Sequence, residues 1–334
     1  MVNPVMAMFR RPAQRRRRRS ALEIIASAGV REESFRTVGG IPQWVTVRGH
    51  DKANQVLLII HGGPGSPYTP FNSWISEWEQ SFTVVQWDQR GAGPTFIRSG
   101  APDLSLQQIV ADGLELAESL MRTYGRPLVV MGSSVGSLIA SMMARAAPHL
   151  FSALVLSNIL GPDSVARSWV QTLDTARITR NQRAIRKLEQ IGSDPRAWNA
   201  EQAQMQSKIA VQLSRRAPNM VYDLMLPALM YDPTLTMSDI QKIDQGMKTS
   251  LTALYHDYSP FPLAMREGVF EMPVLAIHGE QDLVSPIEAA RDYIATLTAP
   301  HTAFIGVPEA GHLVEFAAPH QFSKHLLDFT CANT

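Results

Sequence analysis

Three polar residues each follow a short apolar run: Ser134 in VVMGSSVGS (129–137), Asp282 in HGEQDLVSP (278–286) and His312 in PEAGH (308–312). A serine hydroxyl is a poor nucleophile until an imidazole takes its proton. The imidazole in turn needs a carboxylate to fix its tautomer and stabilise its cation. The order Ser, Asp, His, each after its own strand, is one in which a sheet presents such a set at the ends of its strands. Gly132-Ser133-Ser134-Val135-Gly136 also fits G-x-S-x-G, a tight strand-to-helix turn that exposes the central hydroxyl. The flanking glycines let that turn run close to neighbouring backbone where a Cβ would clash.

Each piece alone is weak. Glycine and serine are common turn residues, the chain has nine histidines, and Glu280 stands two residues before Asp282. Ser133 and Ser137 lie beside the central position and are expected to pack or to cap the following helix. The conjunction, in order and each after its run, carries the reading. A fourth stretch, HGGPG (61–65), follows QVLLII and offers backbone N–H groups. Paired with the N–H of the residue after the serine, such a donor would bind a developing oxyanion. Gly63 and Val135 are the expected pair, with Gly62 the alternative to Gly63.

The elements that must position these residues can be read from the apolar runs. Strands are expected at 43–47, 55–60, 82–87, 127–131, 153–158, 273–278 and 303–307. Several are continuously apolar, as in strands covered on both faces. Helix-period segments alternate with them. Residues 105–125 place Ile109, Leu114, Ala117 and Met121 near one stripe and end on Gly125, and the helix after the serine turn meets Pro148. Alternating strands and helices imply a mainly parallel, doubly wound α/β sheet, with ligands at the carboxyl ends of its strands. Residues 161–269 break the rhythm. They read as helices rich in Gln and Arg, including a stretch from 200 to 217, and are expected to form an inserted cap. The expected division is therefore a tail and short helix at 1–34, a core at 35–160 and 270–332, and the cap at 161–269.

Composition narrows the class. No apolar run is long enough to span a bilayer, so membrane insertion is not expected. The single cysteine, Cys331, leaves no intrachain disulfide and no cysteine-rich metal site, and it fits a reducing, cytoplasmic compartment. No metal or other cofactor is expected. The net charge of +1 hides seven arginines and no acid in residues 1–20, so the remainder carries 1 − 7 = −6. A twin-arginine export signal would need an apolar segment next. ALEIIASAGV (21–30) is short and contains Glu23, so it reads as an amphipathic helix instead. Nucleic-acid binding would bring aromatic residues and a second basic face; the tail is expected to be solvated.

With these residues placed, the chain resembles the α/β-hydrolase superfamily, and within it the prolyl aminopeptidase (proline iminopeptidase) branch. The likeness rests on HGGPG (61–65), WDQRGAG (87–93), GSSVGS (132–137), HGEQD (278–282) and GH (311–312), and covers about 35–160 and 270–330. It implies an α/β-hydrolase fold, a Ser134, Asp282, His312 triad and a helical cap between the sixth and seventh core strands. Arg90 and Gly91 are expected to fasten a loop beside the site. Val135 stands where that branch usually has tryptophan, which keeps the N–H and removes a wall of the pocket. The expected activity is a serine hydrolase on a small-molecule or short-peptide substrate. Removal of an N-terminal proline leads, and hydrolysis of a small ester, amide or lactone is the alternative. A non-catalytic binding protein on the same fold is the rival from another class. An aminopeptidase must hold a substrate ammonium with a carboxylate, and the cap offers Glu201, Asp223 and Asp232.

Overall fold

Continuous apolar runs become strands because a parallel sheet flanked by helices has no wet face. The computed structural model describes residues 4–214, 217–259 and 261–333. Its strands are β1 (Val30–Val38), β2 (Ile41–Gly49), β3 (Gln55–Ile60), β4 (Phe82–Asp88), β5 (Leu128–Ser133), β6 (Phe151–Ser157), β7 (Gly268–Val269), β8 (Val274–Gly279), β9 (Leu297–Thr298) and β10 (Thr302–Val307). Eight of them form one sheet in the order β1-β2-β4-β3-β5-β6-β8-β10. The β1–β2 and β2–β4 pairs are antiparallel and the other five parallel. Every residue of β5 and β8 is buried. The short β7 and β9 pair separately.

The register brings the functional ends level. Ile60 lies opposite Gly132, Ser133 opposite Ser157, and Gly279 opposite Val307. The loops holding HGGPG, Ser134, Asp282 and His312 therefore leave the same edge of the sheet.

The helices are α1 (Pro4–Ala21), α2 (Gly93–Ser99), α3 (Leu106–Tyr124), α4 (Val135–Ala146), α5 (Ser164–Ile178), α6 (Gln182–Ile191), α7 (Ala200–Leu213), α8 (Leu226–Tyr231), α9 (Met237–Tyr258), α10 (Ile287–Ala295), α11 (Val314–Ala317) and α12 (Pro319–Asn333). Local signals set their ends. Ser105 caps the amide of Gln108 at the start of α3, and Gly125 ends it in the left-handed region. Asn199 and Gln202 form a capping box on α7, as do Thr236 and Asp239 on α9. Helices α5 to α9 lie between β6 and the return to the sheet at β8, and a π-helical turn (Met220–Met225) leads into α8. Residues 1–3 of the tail, and 215–216 and 260 of the helical stretch, lie outside the described residues.

Two expectations near the N-terminus are corrected. The helix covers the arginine run itself, Pro4–Ala21, and residues 22–29 form no helix where an amphipathic one was read. The strand β1 was also missed, because Arg31 to Ser34 of this edge strand are exposed and leave no apolar run.

Nor is the tail merely solvated, because α1 docks on α8. Ala7 is fully buried against Met230 and Tyr231. Arg11 donates from Nε to Met230 O (2.9 Å) and from Nη2 to Leu235 O (2.6 Å). Arg15 Nη2 donates to Pro233 O (2.6 Å) and Arg18 Nη1 to Ala228 O (3.2 Å). The Arg18 guanidinium also lies 5.4 Å from the ring centres of both Trp74 and Tyr231. The physical reason is that a six-residue helix leaves its last carbonyls without intrahelical partners at the negative end of its dipole. Guanidinium groups satisfy those of Ala228 and Met230, and also the carbonyls of Pro233 and Leu235 in the loop that follows.

Candidate active site

Ser134 sits between β5 and α4 with φ +55° and ψ −126°, a strained backbone for a residue with a Cβ. The turn is held by Ser134 N donating to Ser157 O (3.0 Å) and by the Ser137 hydroxyl donating to Ser134 O (2.6 Å). Both flanking glycines are required sterically. A Cβ on Gly132 would lie 2.2 Å from Gly136 O, and one on Gly136 2.2 Å from Ile60 O.

His312 bridges the other two residues. Its Nδ1 lies 2.7 Å from Asp282 Oδ2 and its Nε2 3.2 Å from Ser134 Oγ. A carboxylate only accepts, so the imidazole proton sits on Nδ1 and the Nε2 lone pair faces the serine hydroxyl. Asp282 is fixed by the amides of Val284 (2.8 Å) and Ser285 (3.0 Å) at Oδ1 and by the Ser285 hydroxyl (3.0 Å) at Oδ2. Burial would push the Asp282 carboxyl up, but His312, with further help from His278 and the Ser285 amide, holds it below the usual range. Burial likewise works against the His312 cation, yet Asp282 and then Glu315 outweigh it and leave the imidazole above its ordinary value. Glu280, the competing acid, is exposed.

The HGGPG loop is anchored by His61. Its Nε2 accepts from Gln89 N (3.1 Å), which puts the proton on Nδ1, 2.9 Å from Gly62 O. Burial pushes this imidazole down to about 4, so it stays neutral. Gly62 passes so close to the serine turn that a Cβ would stand 2.6 Å from Ser133 O and 2.7 Å from Ser134 Cβ. Val135 is the first residue of α4, where amides have no intrahelical acceptor. Arg90 does not face the site: it is buried, pairs with Asp112 (3.0 Å) and donates to Gly39 O (2.8 Å) and Pro102 O (2.9 Å).

The three acids proposed for an ammonium group lie at separate places in the helical stretch between β6 and β8. Glu201 is exposed in the first turn of α7. Asp223 accepts the Asn219 amide (3.0 Å) at the π-helical turn. Asp232 accepts from the amides of Thr234 (2.7 Å) and Leu235 (3.0 Å), in the loop that Arg11, Arg15 and Arg19 also grip. Short side chains beside a backbone turn find local amides before they find a ligand.

Sequence reasoning passed over four residues that pack against this set. Tyr68, Asn158, Ser285 and Glu315 are all buried; Ser285 is hydrogen-bonded to Asp282, and the other three to Ser133, the neighbour of Ser134. Only Ser285 carried a signal, as the third residue after an Asp in a turn. Among the described residues, no group of three or more His, Cys, Asp or Glu is placed to hold a metal ion, and no helix is long and apolar enough to cross a membrane.

Residues 55–319 match the family model for the alpha/beta hydrolase fold. The chain is 24% identical over 298 residues to the "Probable aminopeptidase YbaC" of Bacillus subtilis (strain 168), covering 87% of this chain and 93% of that protein. Its fold is similar to that of a thermophilic esterase from Thermogutta terrifontis (TM-score 0.58, 19% identity, 91% of this chain and 100% of that one). It is also similar to a proline iminopeptidase-related protein from Thermus thermophilus (TM-score 0.57, 20% identity, 91% and 98%). The family match spans well over half of the chain, and the sheet order and strand-end loops described above are those it requires: this protein belongs to the alpha/beta hydrolase fold family.

Proposed function

We propose that this protein is a serine hydrolase that works through an acyl-enzyme, with Ser134 as nucleophile, His312 as base and then acid, and Asp282 as the residue that orients His312. The observation that carries the reading is the His312 bridge, 3.2 Å to Ser134 Oγ and 2.7 Å to Asp282 Oδ2. His312 Nε2 takes the hydroxyl proton as Ser134 Oγ bonds to the substrate carbonyl carbon. It then returns that proton to the leaving group as the carbonyl re-forms. Water, deprotonated by the same nitrogen, releases the acyl group. The amides of Gly63 and Val135 are the oxyanion donors in this reading.

For the substrate, a small carboxylic ester or neutral amide is the better supported class. A desolvated ammonium needs a carboxylate or several acceptors, and Glu201, Asp223 and Asp232 are exposed or already serve local turns. The aminopeptidase reading draws its support from the Bacillus relative and from HGGPG with DQRGAG. A panel of short-chain aryl esters, lactones, and proline and alanine arylamides with free and acylated amines separates the two. Ester turnover that exceeds proline arylamide turnover, and indifference to acylation, would support the first. Strict dependence on a free N-terminal amine would overturn it in favour of the aminopeptidase.

A further inference from the structure

We propose that Asn158 and Glu315 are positioning residues: a buried bracket that locks the Ser134 turn and the His312 loop together and places a second carboxylate near His312. The proposal rests on Ser134 being the nucleophile.

Asn158 follows β6 with φ +46°, a region that asparagine enters more readily than most residues. Its side-chain polar groups reach two of the loops. Oδ1 accepts the amide of Val314 (3.0 Å), two residues past His312. Nδ2 donates to Ser133 Oγ (2.9 Å), one residue before Ser134, and to Glu315 Oε2 (2.6 Å). Its carbonyl lies 3.1 Å from Ser285 Oγ, whose single proton goes to Asp282 Oδ2 (3.0 Å) instead.

Glu315, on α11, is fully buried. The Ser133 hydroxyl has one proton and gives it to Glu315 Oε1 (2.7 Å), so Tyr68 (2.9 Å) and Asn158 both donate to that hydroxyl. The donors thus all run toward the carboxylate. Among the described residues no lysine or arginine forms an ion pair with it. Enclosing a carboxylate with neutral donors alone is costly, and an apolar residue would fill the space at lower cost. What the carboxylate adds is a fixed register between two loops and a negative charge near the imidazole.

Several titratable groups surround His312. Asp282 lies at 2.7 Å from the loop after β8, and His278, at the end of β8, lies 3.5 Å from the same carboxylate oxygen. Burial keeps the His278 imidazole below its ordinary value, and its Nδ1 accepts the Ile159 amide. Tyr68, from the loop after β3, is raised well above the usual phenol range by burial and by Glu315. Of these, Asp282 and then Glu315 favour the His312 cation.

Fluorophosphonate labelling of the full chain, followed as a rate against pH, tests the bracket without a known substrate. Glu315→Gln should keep the fold by circular dichroism, label about 10- to 100-fold more slowly at its alkaline plateau because the serine is displaced, and show a midpoint moved to lower pH. Ser133→Ala, which keeps the charge, should slow the plateau with the midpoint unchanged. Folded Glu315→Gln protein with the wild-type midpoint would overturn the electrostatic half. Ser133→Ala labelling at the wild-type rate would overturn the positional half, and it decides that half even if Glu315→Gln does not fold. A nucleophile elsewhere would be revealed separately, by a Ser134→Ala variant that still labels.

Discussion

A Cβ built on Gly136 would stand 2.2 Å from the carbonyl oxygen of Ile60 and 2.6 Å from that of His61. The first turn of α4 thus lies directly on the end of β3, and the atoms in the way are backbone. Gly136→Ala should therefore destabilise the protein by about 3 kcal/mol or more, since neither side can yield locally. Gly125, by contrast, has φ +70° but open space around its Cβ position, so Gly125→Ala should cost only about 1–2 kcal/mol. Denaturant melts of the two variants give the comparison; equal costs would refute the steric account.

The hydrogen bonds of His312 to Asp282 and Ser134 predict a sharp hierarchy. Ser134→Ala should lose roughly 10⁴- to 10⁶-fold in turnover, and Asp282→Asn about 10⁴-fold, with both remaining folded. Glu280→Gln should change little, because Glu280 is exposed. Kinetics on the best ester of the panel provide the measurement.

The same geometry fixes the direction of the pH profile. The base must be neutral, and the His312 imidazole is raised above its ordinary value by Asp282 and Glu315 against burial. Activity should therefore rise with pH through a midpoint above the ordinary histidine value of about 6.5. In Asp282→Asn the residual activity should have its midpoint at lower pH, because the first of the two carboxylates is gone. A midpoint that does not move would contradict the assignment.

Stability should tilt with pH through two other buried groups of opposite sign. Burial holds His61 down to about 4, so the unfolded chain binds its proton first and stability falls as pH drops from about 6.5 toward 4. Asp88 is pushed up to about 7 by burial, so the native state holds its proton longer and stability falls as pH rises from about 4 toward 7. Asp88→Asn can keep the Thr69 hydroxyl bond (2.9 Å) without that penalty. Its stability relative to wild type should grow by a few kcal/mol between pH 4 and pH 8. A constant difference in urea melts across that range would exclude it.

Removing residues 1–21 should uncover Met230 and Tyr231 and leave the carbonyls of Ala228, Met230, Pro233 and Leu235 without their arginine donors. We expect a lower melting temperature and new proteolytic cleavage between Ala217 and Thr236, detected by mass spectrometry. Wild-type resistance in the truncated chain would mean that α1 contributes nothing to this segment.

The sequence by itself determined the parallel part of the sheet and the order of the residues proposed to do the chemistry. Runs such as QVLLII and PVLAIH are apolar at nearly every position because β3 and β8 are covered on both faces, and that pattern needs no partner to be read. Ser134, Asp282 and His312 could be picked out because each ends or follows such a run. The tertiary structure decided what depends on partners far along the chain. The Arg11 guanidinium finds the carbonyls of Met230 and Leu235 more than 200 residues away. Backbone carbonyls leave no mark in a sequence, so the arginines read only as a charged tail. Strand β1, with Val38 as its one buried side chain, is held mainly by its pairing with β2. Asn158 and Glu315 are 157 positions apart and meet only because the end of β6 and the loop after β10 come side by side. A polar residue buried by its neighbours looks, in sequence, like one left in water.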